Sequence, residues 1–439
     1  MEVVKLVGTL SNQRVYSENP LDGLENLIVS TVDGYFLNDL ECEVPHRIKL
    51  YRLEIFGFEN FKRIIKLNNV RLWRRNSHFF TFEIQLCDKN EADVGVFSYF
   101  SGLQEGYLYY KLVQFRTSNL NEASSLYRYI SDIKNSISLR LIDTNFEYKK
   151  RTTKYIKSNK YSLYVEPVGQ GNMAVIKNSK GESKILFDVG HGAPINKNAI
   201  DSEQYAFDDK LKSVETVFLS HWDEDHFRLA NHPKFSYLKD CFWFFPFSSY
   251  AINCLSIYDA LHYESRLLVW ETLLDITANL KFYLIEHNTK GKVPIGVHNS
   301  INYECGNVSS DSNNRGVVIR LEQKLKFCTK NILIPGDADY SNFENIYKFK
   351  YSDVIASHHG SRYINSENLP KPSSINSKFI FSFGFHSKYK HPSEDMISRA
   401  SKEGYIIKAT NCIFWQELSL KRKCKLKFYK QHSVRVKVL

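Results

Sequence analysis

Two histidines and three carboxylates follow an apolar run within the segment FLSHWDEDHF, residues 218–227. The run predicts a buried strand through 214–219, which would deliver His221 and Asp223 onto one side of the following loop. Asp225 and His226 would then begin the next helix. An unpaired carboxylate at the end of a buried strand is costly unless a cation compensates its charge. The segment therefore predicts a metal site.

The mixture of ligand types in this segment indicates which metals it would hold. Imidazole and carboxylate together are typical of zinc or manganese, and the number of groups exceeds what one tetrahedral ion needs. The alternative is a helix N-cap at Asp225 with solvated neighbours and a packed histidine. Because a cap needs only one acid at this point, the sequence favours the metal site.

Four further candidate residues lie at the ends of later apolar runs. Asp337 follows ILIPG, His358 and His359 follow SDVIA, and His391 precedes the proline in KYKHPSED. A lone Asp after Gly is more often a turn residue, and a lone His is more often a packed or surface side chain. Together, however, these residues supply the remaining ligands of a two-metal centre.

The elements that must position these side chains are short apolar strands between helical segments. Four short apolar strands end in Gly, Asp or His; these are in VEPVGQGNMAVI, SKILFDVGHG, VETVFLSHWDEDH and NILIPGDADY. This pattern predicts a buried mixed sheet of the α/β (α+β) class, with helices on both faces and a site at the strand ends.

The first 150 residues have a different texture and predict a separate β-rich accessory domain. Alternating segments such as HRIKLYRLEIFGF and HFFTFEIQLCD are typical of strands, and residues 119–137 predict one amphipathic helix with Asn121 as its N-cap. The basic segment 148–161 lacks periodicity and places the domain boundary there. The sequence thus predicts domains at 1–150 and 161–439.

In this order, LSHWDEDH, ILIPGDAD, VIASHHGS and FSFGFHSKYKHP resemble the metallo-β-lactamase-fold hydrolase domain at the C-terminus of bacterial DNA-uptake (competence) proteins. The resemblance covers about residues 161–401, and VGQGNMAVI with ILFDVGHG is similar to that family's opening strands. It implies an αββα sandwich with a dinuclear site at one edge of its two sheets. Residues 1–150 lie outside it.

The resemblance also implies roles for individual residues. His221 and Asp223 would hold one ion, Asp225 and His226 the other, and Asp337 would bridge the two. Asp223 stands where many members of the wider superfamily carry a histidine, which shifts the expected metal toward Mn²⁺, with Zn²⁺ as the alternative.

The last ligand and the catalytic groups lie further along the chain. His358 is the predicted last ligand, although sequence alone does not decide which of His358 and His359 faces the metals. His359 or His391 would contact the scissile phosphate or protonate the leaving group. Asp225 is predicted to be a catalytic residue as well as a metal ligand.

Two departures from the family pattern are visible. The DxDH element is followed by FRLAN rather than by a pair of glycines, and the opening loop carries Asn172 where the family has an aspartate. That aspartate would support a ligand rather than bind metal, so its absence affects tuning and not the predicted metal binding.

Basic segments point to a nucleic-acid substrate. The net charge of the 439-residue chain is +11, and residues 420–439 contain eight Lys or Arg and no acid. Four of these, Lys421, Arg422, Lys423 and Lys425, are the predicted nucleic-acid-binding residues. The segment RLWRRNSHFF (71–80) places aromatic residues beside arginines, as single-strand binders do. The alternatives are a solvated edge strand in the tail and core packing of the aromatic residues.

Three functions remain open from the sequence. The first is a nuclease or phosphodiesterase that cleaves DNA or RNA through a hydroxide activated by two metal ions, with a bacterial defence effector as one setting. The second is a hydrolase of small phosphodiesters or nucleotides, and the third is a binding module with an idle metal site. The first domain is a candidate site for a protein partner.

Cysteine usage and hydropathy predict a cytoplasmic protein without a membrane partner. The eight cysteines form no CxxC pair, which predicts reduced thiols. The most apolar stretch, residues 241–255, is too short and interrupted to span a bilayer, and the first residues lack a signal-peptide pattern.

Overall fold

The computed structural model describes two compact units. The first comprises residues 1–142, 231–233 and 248–278, and the second comprises 143–230, 234–247 and 279–439. The described residues are 2–11, 28–40, 51–56, 79–98, 108–143, 161–166, 168, 172–190, 211–231, 233–246, 265–278, 281–295, 298–307, 310–311, 313–362, 364, 368–383, 391–410 and 434–437. The domain boundary predicted within 148–161 lies outside them, apart from Tyr161.

The first unit contains a closed six-stranded antiparallel barrel. Its strands, whose order around the barrel is β1-β2-β3-β5-β6-β4, are β1 (Val3–Ser11), β2 (Ile28–Phe36), β3 (Tyr51–Phe56), β4 (Phe80–Leu86), β5 (Val94–Ser98) and β6 (Leu108–Thr117). Alternation of apolar and polar residues sends one side chain in two inward, where Leu6, Leu53, Phe82 and Phe115 are completely buried. The prediction of a β-rich N-terminal region is confirmed.

Five α-helices lie among the described residues. They are α1 (Leu37–Leu40), α2 (Leu120–Asp143), α3 (Glu224–Phe227), α4 (Ser265–Ala278) and α5 (Glu394–Lys402). Short 3₁₀ segments span Lys89–Glu91, Arg228–Asn231, Pro233–Asp240, Tyr340–Asn342, Glu344–Lys348 and Ser357–Gly360. None of the helices in the described part of the chain is long and apolar enough to cross a membrane.

Helix α2 begins two residues earlier than its predicted cap implies. The side chain of Asn119, not Asn121, accepts a hydrogen bond from the Glu122 amide at 3.0 Å. The Glu122 carboxylate in turn accepts from the Asn119 amide at 2.9 Å, which completes a reciprocal capping box. Arg116 donates to both carboxylate oxygens of Glu122 and is the first cause that lowers the pKa of Glu122, to about 2. This three-residue arrangement fixes the start of α2.

The second unit contains two seven-stranded sheets. The first sheet has the order β12-β11-β10-β9-β8-β7-β22, with strands β7 (Tyr161–Val165), β8 (Ala174–Asn178), β9 (Ser183–Phe187), β10 (Thr216–Phe218), β11 (Phe242–Pro246), β12 (Phe282–Ile285) and β22 (Val434–Lys437). Strands β9 to β12 are parallel and read as continuous apolar runs, as strands covered on both faces do. The predicted edge strand in SVRVKVL is β22, which pairs only with β7 among the described strands.

The second sheet is antiparallel in its first half and parallel in its second. Its order is β13-β14-β15-β16-β18-β20-β21, with strands β13 (Lys290–Pro294), β14 (Asn299–Cys305), β15 (Val317–Lys324), β16 (Thr329–Ile334), β18 (Asp353–Ile355), β20 (Lys378–Phe381) and β21 (Ile406–Ala409). A separate two-stranded sheet pairs β17 (Lys350–Tyr351) with β19 (Lys371–Pro372). Because β16, β18 and β20 are parallel, their carboxyl ends meet at one edge.

The two sheets pack face to face around one apolar core. That core joins Leu163, Ile176 and Phe218 of the first sheet to Ile319 and Ile332 of the second. The other face of the second sheet is also apolar, and it packs on α5, whose Met396, Ile397 and Ala400 are buried. The predicted fold class, an αββα metallo-β-lactamase sandwich behind a β-rich region, is confirmed.

Candidate metal centre

The predicted metal-binding loop leaves the centre of the first sheet. Strand β10 ends at Phe218, and the loop carrying His221 and Asp223 leads into α3, which contains Asp225 and His226. The backbone amide of Leu219 bonds the carbonyl of Phe244, and that of Val317 bonds the carbonyl of Ser220. The loop is therefore held by hydrogen bonds to strands of both sheets.

Four side chains converge into one compact cluster at this edge. One ligand atom from each of Asp225, His226, Asp337 and His359 lies within 4.8 Å of the others. His226 Nε2 is 3.1 Å from Asp337 Oδ1, and His359 Nε2 is 3.3 Å from Asp225 Oδ2. Two imidazoles and two carboxylates make a donor set for one zinc or manganese ion. We call these four residues the inner cluster.

Asp337 also faces a second, more open group, formed by His221 and Asp223, and His358 lies beside this group. Its Oδ2 is 4.0 Å from His221 Nε2 and 3.6 Å from His358 Nε2. Asp223 Oδ2 lies 3.4 Å from His221 Nε2, and the side chain of Asp223 is 48% exposed. The bridging position predicted for Asp337 thus has acceptor atoms turned toward both groups.

The donor atoms satisfy a simple test of metal fit. His221 Nε2, His226 Nε2 and Asp337 Oδ1 are buried and have no hydrogen-bond partner of acceptable geometry. Buried polar atoms are nearly always paired in folded proteins, so three orphans around one point require an explanation. A divalent cation would satisfy all three, and the residues fit it.

Hydrogen bonds on the far side of each ring fix which imidazole nitrogen faces the centre. His226 Nδ1 donates to Asp188 Oδ2 at 2.8 Å, His221 Nδ1 to Ser220 Oγ at 3.1 Å, and His359 Nδ1 to the Ser382 carbonyl at 2.8 Å. Each ring is then left with a lone pair on Nε2. His221, His226 and His359 therefore have the tautomer that a metal ligand needs.

The pKa shifts within the cluster indicate that the site favours positive charge. Burial alone would lower the pKa of His226, but Asp337, Asp188 and Asp225 outweigh it and raise that pKa well above its usual value. Burial alone would raise the pKa of Asp337, but His226 and His358 hold it well below its usual range. A metal ion meets the same demand and would displace the protons.

Asp188 is a supporting residue that the sequence analysis missed. Its carboxylate accepts hydrogen bonds from the Ser220 amide at 2.7 Å, the Ser220 hydroxyl at 2.9 Å and His226 Nδ1. The signal was present in ILFDVG, where an aspartate ends a buried strand. Asp188 therefore provides a supporting carboxylate at a different position from Asn172, and the effect of Asn172 on tuning stays a prediction.

We expect Asp188→Asn to lower metal affinity by about 10–100-fold, since an amide cannot hold the His226 ring with the same charge. Asparagine tolerates the positive φ of 57° at this position, so the fold should survive. Competition with a chelator would measure the change, with exposed Asp240→Asn as the control. Equal affinities for Asp188→Asn and the parent would contradict the supporting role.

The opening loop braces α3 through its backbone. The Asn172 amide bonds the Asp225 carbonyl at 3.1 Å, and the Val189 amide bonds the His226 carbonyl at 2.7 Å. A Cβ on Gly190 would lie 1.8 Å from the Asp225 carbonyl oxygen, so only glycine fits there. The glycine after the strand end is thus explained by the close approach of this ligand loop.

The turn with the adjacent histidines is backbone-strained. His358 and His359 both lie in the left-handed region, with φ of 46° and 56°, and Gly360 follows at 82°. For residues other than glycine this conformation costs of order 1–3 kcal/mol each, and such strain concentrates at functional sites. The turn sends the two rings in different directions, and their planes are 76° apart.

The structure brings His359, rather than the predicted His358, into the inner cluster. The Asn313 amide lies 3.4 Å from His358 Nδ1, which leaves the proton of that ring on Nε2, toward Asp337. The ring of His391 is 5.6 Å from that of His358. Burial first, then His359 and His358, lower the pKa of His391 to about 4, so it is a neutral imidazole near pH 7.

The predicted nucleic-acid-binding residues cannot be placed. Lys421, Arg422, Lys423 and Lys425 lie outside the described residues, as do Arg71, Trp73, Arg74 and Arg75. Their proposed role stays a prediction.

Comparison with known proteins supports the fold of this unit. Residues 167–232 match the family model described as the Metallo-beta-lactamase superfamily, which confirms the resemblance to hydrolases of this fold. The matched segment includes Asp188 and the loop from His221 to His226. The closer resemblance to DNA-uptake proteins stays a prediction. No curated protein matches the chain.

Solved structures are similar to the chain only at low identity. Human tRNase Z, short form, is 13% identical, with 56% of this chain and 93% of that chain covered and a TM-score of 0.30. Zn²⁺-bound PqqB from Methylobacterium extorquens is 10% identical, with 54% and 84% covered and a TM-score of 0.32. Unliganded yeast PDE1 is 9% identical, with 57% and 97% covered and a TM-score of 0.33. Likeness at this level carries no argument about substrate.

Proposed function

We propose that the protein is a metal-dependent phosphodiesterase that cleaves nucleic acid. The observation that carries the proposal is the inner cluster of Asp225, His226, Asp337 and His359, beside a second group that shares Asp337. Two divalent ions bound there would lower the pKa of a water molecule shared between them, and they would offset the negative charge of a phosphodiester.

The residues around these ions have separable tasks. Asp337, buried and turned toward both groups, would hold the ions at a fixed separation. His358, with Nε2 protonated, is the group best suited to donate a hydrogen bond or a proton to an oxygen of the substrate. The ring of His391, 5.6 Å from that of His358, is neutral near pH 7 because its pKa is lowered to about 4, so it can accept a hydrogen bond or relay a proton.

The two groups should differ in metal preference and affinity. The inner cluster has two imidazoles that are almost completely buried, whereas Asp223 of the open group is half exposed. With Asp337 counted in both, the open group has one imidazole and two carboxylates, whereas the inner cluster has two of each. The open group is therefore the harder donor set, which favours Mn²⁺ there. Solvent access also makes an ion in the open group the easier one to exchange.

Exposure at the open group favours a large substrate over a small one. The side chains of Asp223, His358 and Asp225 are 48%, 27% and 23% exposed, so solvent reaches the site on this side. A polymer can approach such a site from outside, and the net charge of +11 favours a polyanion. A hydrolase of small phosphodiesters or nucleotides is the second candidate, because the same donor set serves it equally well.

Metal binding and substrate class can be tested together. Purified protein should bind about two divalent ions per chain by elemental analysis, one more tightly than the other by calorimetry. With Mn²⁺ or Zn²⁺ it should cleave single-stranded DNA, duplex DNA or RNA in addition to bis-p-nitrophenyl phosphate. No metal and no calorimetric response would overturn the hydrolase proposal, and cleavage of only the small ester would favour the second candidate.

The basic tail offers a test of nucleic-acid binding. Changing Lys421, Arg422, Lys423 and Lys425 together to Ala should weaken binding and flatten its salt dependence by about 0.7–0.9 in log–log slope for each lost contact. Cleavage of bis-p-nitrophenyl phosphate should be nearly unchanged. Equal salt slopes would show that the tail is only a solvated edge.

A role as a bacterial defence effector would require that Asp337→Asn abolish protection of cells challenged with phage.

A further inference from the structure

The edge of the second sheet that lies opposite the metal centre has an unusual surface. Strands β16, β18, β20 and β21 are parallel, and β16 and β18 lead at their carboxyl ends to Asp337 and to the His358–His359 turn. The segments that precede these strands therefore share the opposite edge. They include the β15–β16 turn at 324–330, the segment 371–378 before β20 and the start of β21 at 402–406.

Large apolar side chains project from these segments into solvent. Phe327 is 88% exposed at the tip of the β15–β16 turn, beside Leu325 at 40%. Ile375 is 87% exposed before β20, and Ile406 at the first position of β21 is 41% exposed. Single exposed apolar residues are ordinary, so what matters here is that two almost fully exposed tips share one sheet edge with several lysines.

The same segments are rich in lysine, and the ammonium group of Lys326 lies 5.0 Å from the centre of the Phe327 ring. The three segments contain six lysines, no arginine and one acid, Glu403, which pairs with Lys371 at 2.9 Å; the lysines are Lys324, Lys326, Lys330, Lys371, Lys378 and Lys402. The nearby Asp353 is buried between Lys330 and Lys378, 3.8 Å from each. The exposed charge of this edge is therefore positive. We call the three segments the basic edge.

We propose that the basic edge adsorbs to an anionic lipid surface, with Phe327 and Ile375 inserted among the headgroups. Exposed apolar tips on a lysine-rich edge suit peripheral membrane binding, because burial of the tips and attraction to anionic lipid act together. The flexible lysine stems allow the ammonium groups to stay in water while the tips enter the interface. This concerns adsorption to a surface, and it differs from the expectation of no membrane partner drawn from the sequence.

Other occupants fit this edge less well. Nucleic acid would account for the lysines, which can contact phosphates, but three of the four exposed apolar residues are aliphatic and offer no ring on which a base could stack. A second copy of the same edge would place lysines against lysines. An acidic protein would satisfy the lysines but needs no protruding isoleucine.

Vesicle binding tests the proposal directly. The full-length protein should co-sediment with phosphatidylcholine vesicles that contain phosphatidylglycerol and much less with phosphatidylcholine alone. Phe327→Ser combined with Ile375→Ser should weaken this binding by about tenfold or more, as should Lys324→Glu with Lys326→Glu. Leu120→Ser is the matched control, since Leu120 is 85% exposed but lies in the first unit.

Direct insertion can be read from fluorescence. Phe327→Trp keeps an aromatic tip, and its added emission should be quenched by brominated lipid in anionic vesicles. Lack of preference for anionic vesicles, or binding that the double serine variant leaves intact, would overturn the proposal. If the serine variant lost affinity for an oligonucleotide and not for vesicles, the edge would be a nucleic-acid surface instead. None of these readouts depends on catalytic activity.

Discussion

Asp337→Asn is expected to lower hydrolysis by about a hundredfold or more and to remove at least one of the two ions. The amide keeps the shape of the side chain but loses the negative charge that faces both His226 and the open group. Asp337 Oδ1 is one of the three buried atoms of the centre that lack a hydrogen-bond partner and that a divalent ion would satisfy. Elemental analysis and initial rates on bis-p-nitrophenyl phosphate would measure the two effects.

Asp339→Asn is the matched control for that variant. Asp339 lies two residues later, is equally buried, and accepts hydrogen bonds from the Ser341 amide and hydroxyl through Oδ1. An asparagine can still accept both bonds, so metal content should be preserved. Retention of more than about a tenth of the parent rate by Asp337→Asn at saturating metal would show that Asp337 is not the bridge.

Substitution of the two adjacent histidines should have different effects on metal affinity and on the rate of hydrolysis. His359→Ala removes a ring whose Nε2 lone pair belongs to the inner cluster, so metal affinity should fall by about a hundredfold. His358→Ala removes a ring protonated on Nε2, so metal content should stay near the parent value while the rate at saturating metal falls by about 10²–10⁴-fold.

Calorimetry for metal and single-turnover rates for hydrolysis separate these outcomes. If His358 protonates the leaving group, His358→Ala should slow esters with poor leaving groups more than esters with good ones. A leaving group of low pKa departs without needing a proton. Loss of metal in His358→Ala with normal metal binding in His359→Ala would reverse the assignment and restore the choice made from sequence.

Much of the site was accessible from sequence because it lies at the ends of apolar runs. His221, Asp225 and His226 follow β10 of the first sheet, and Asp337 follows β16 of the second, so face-to-face packing of the two sheets brings these strand ends together. The sandwich itself was predicted from ordered motifs, and its strands appear where the apolar runs are. The apolar pattern of the sequence by itself predicts only at which edge of the sheet a residue lies.

The direction in which each side chain points at that edge could not be predicted from the sequence in the same way. The choice between His358 and His359 depends on two successive left-handed residues, and neither strand nor helix periodicity describes such a turn. Asp188 was overlooked because its partner His226 is 38 positions away and is found only when β9 and β10 pair. The cap of α2 was misplaced by two residues because both Asn119 and Asn121 suit a cap by type.

The pairing of β22 with β7 has a consequence for how the chain is made. Val434 pairs with Val165, so the first sheet acquires this edge strand only after about 270 further residues have been synthesised beyond β7. Until then β7 presents an open row of amides and carbonyls, the kind of template on which nascent chains pair with one another. Premature termination before residue 434 should therefore yield a protein that retains the metal-binding loop yet precipitates, and holdase chaperones should associate mainly with such shortened products.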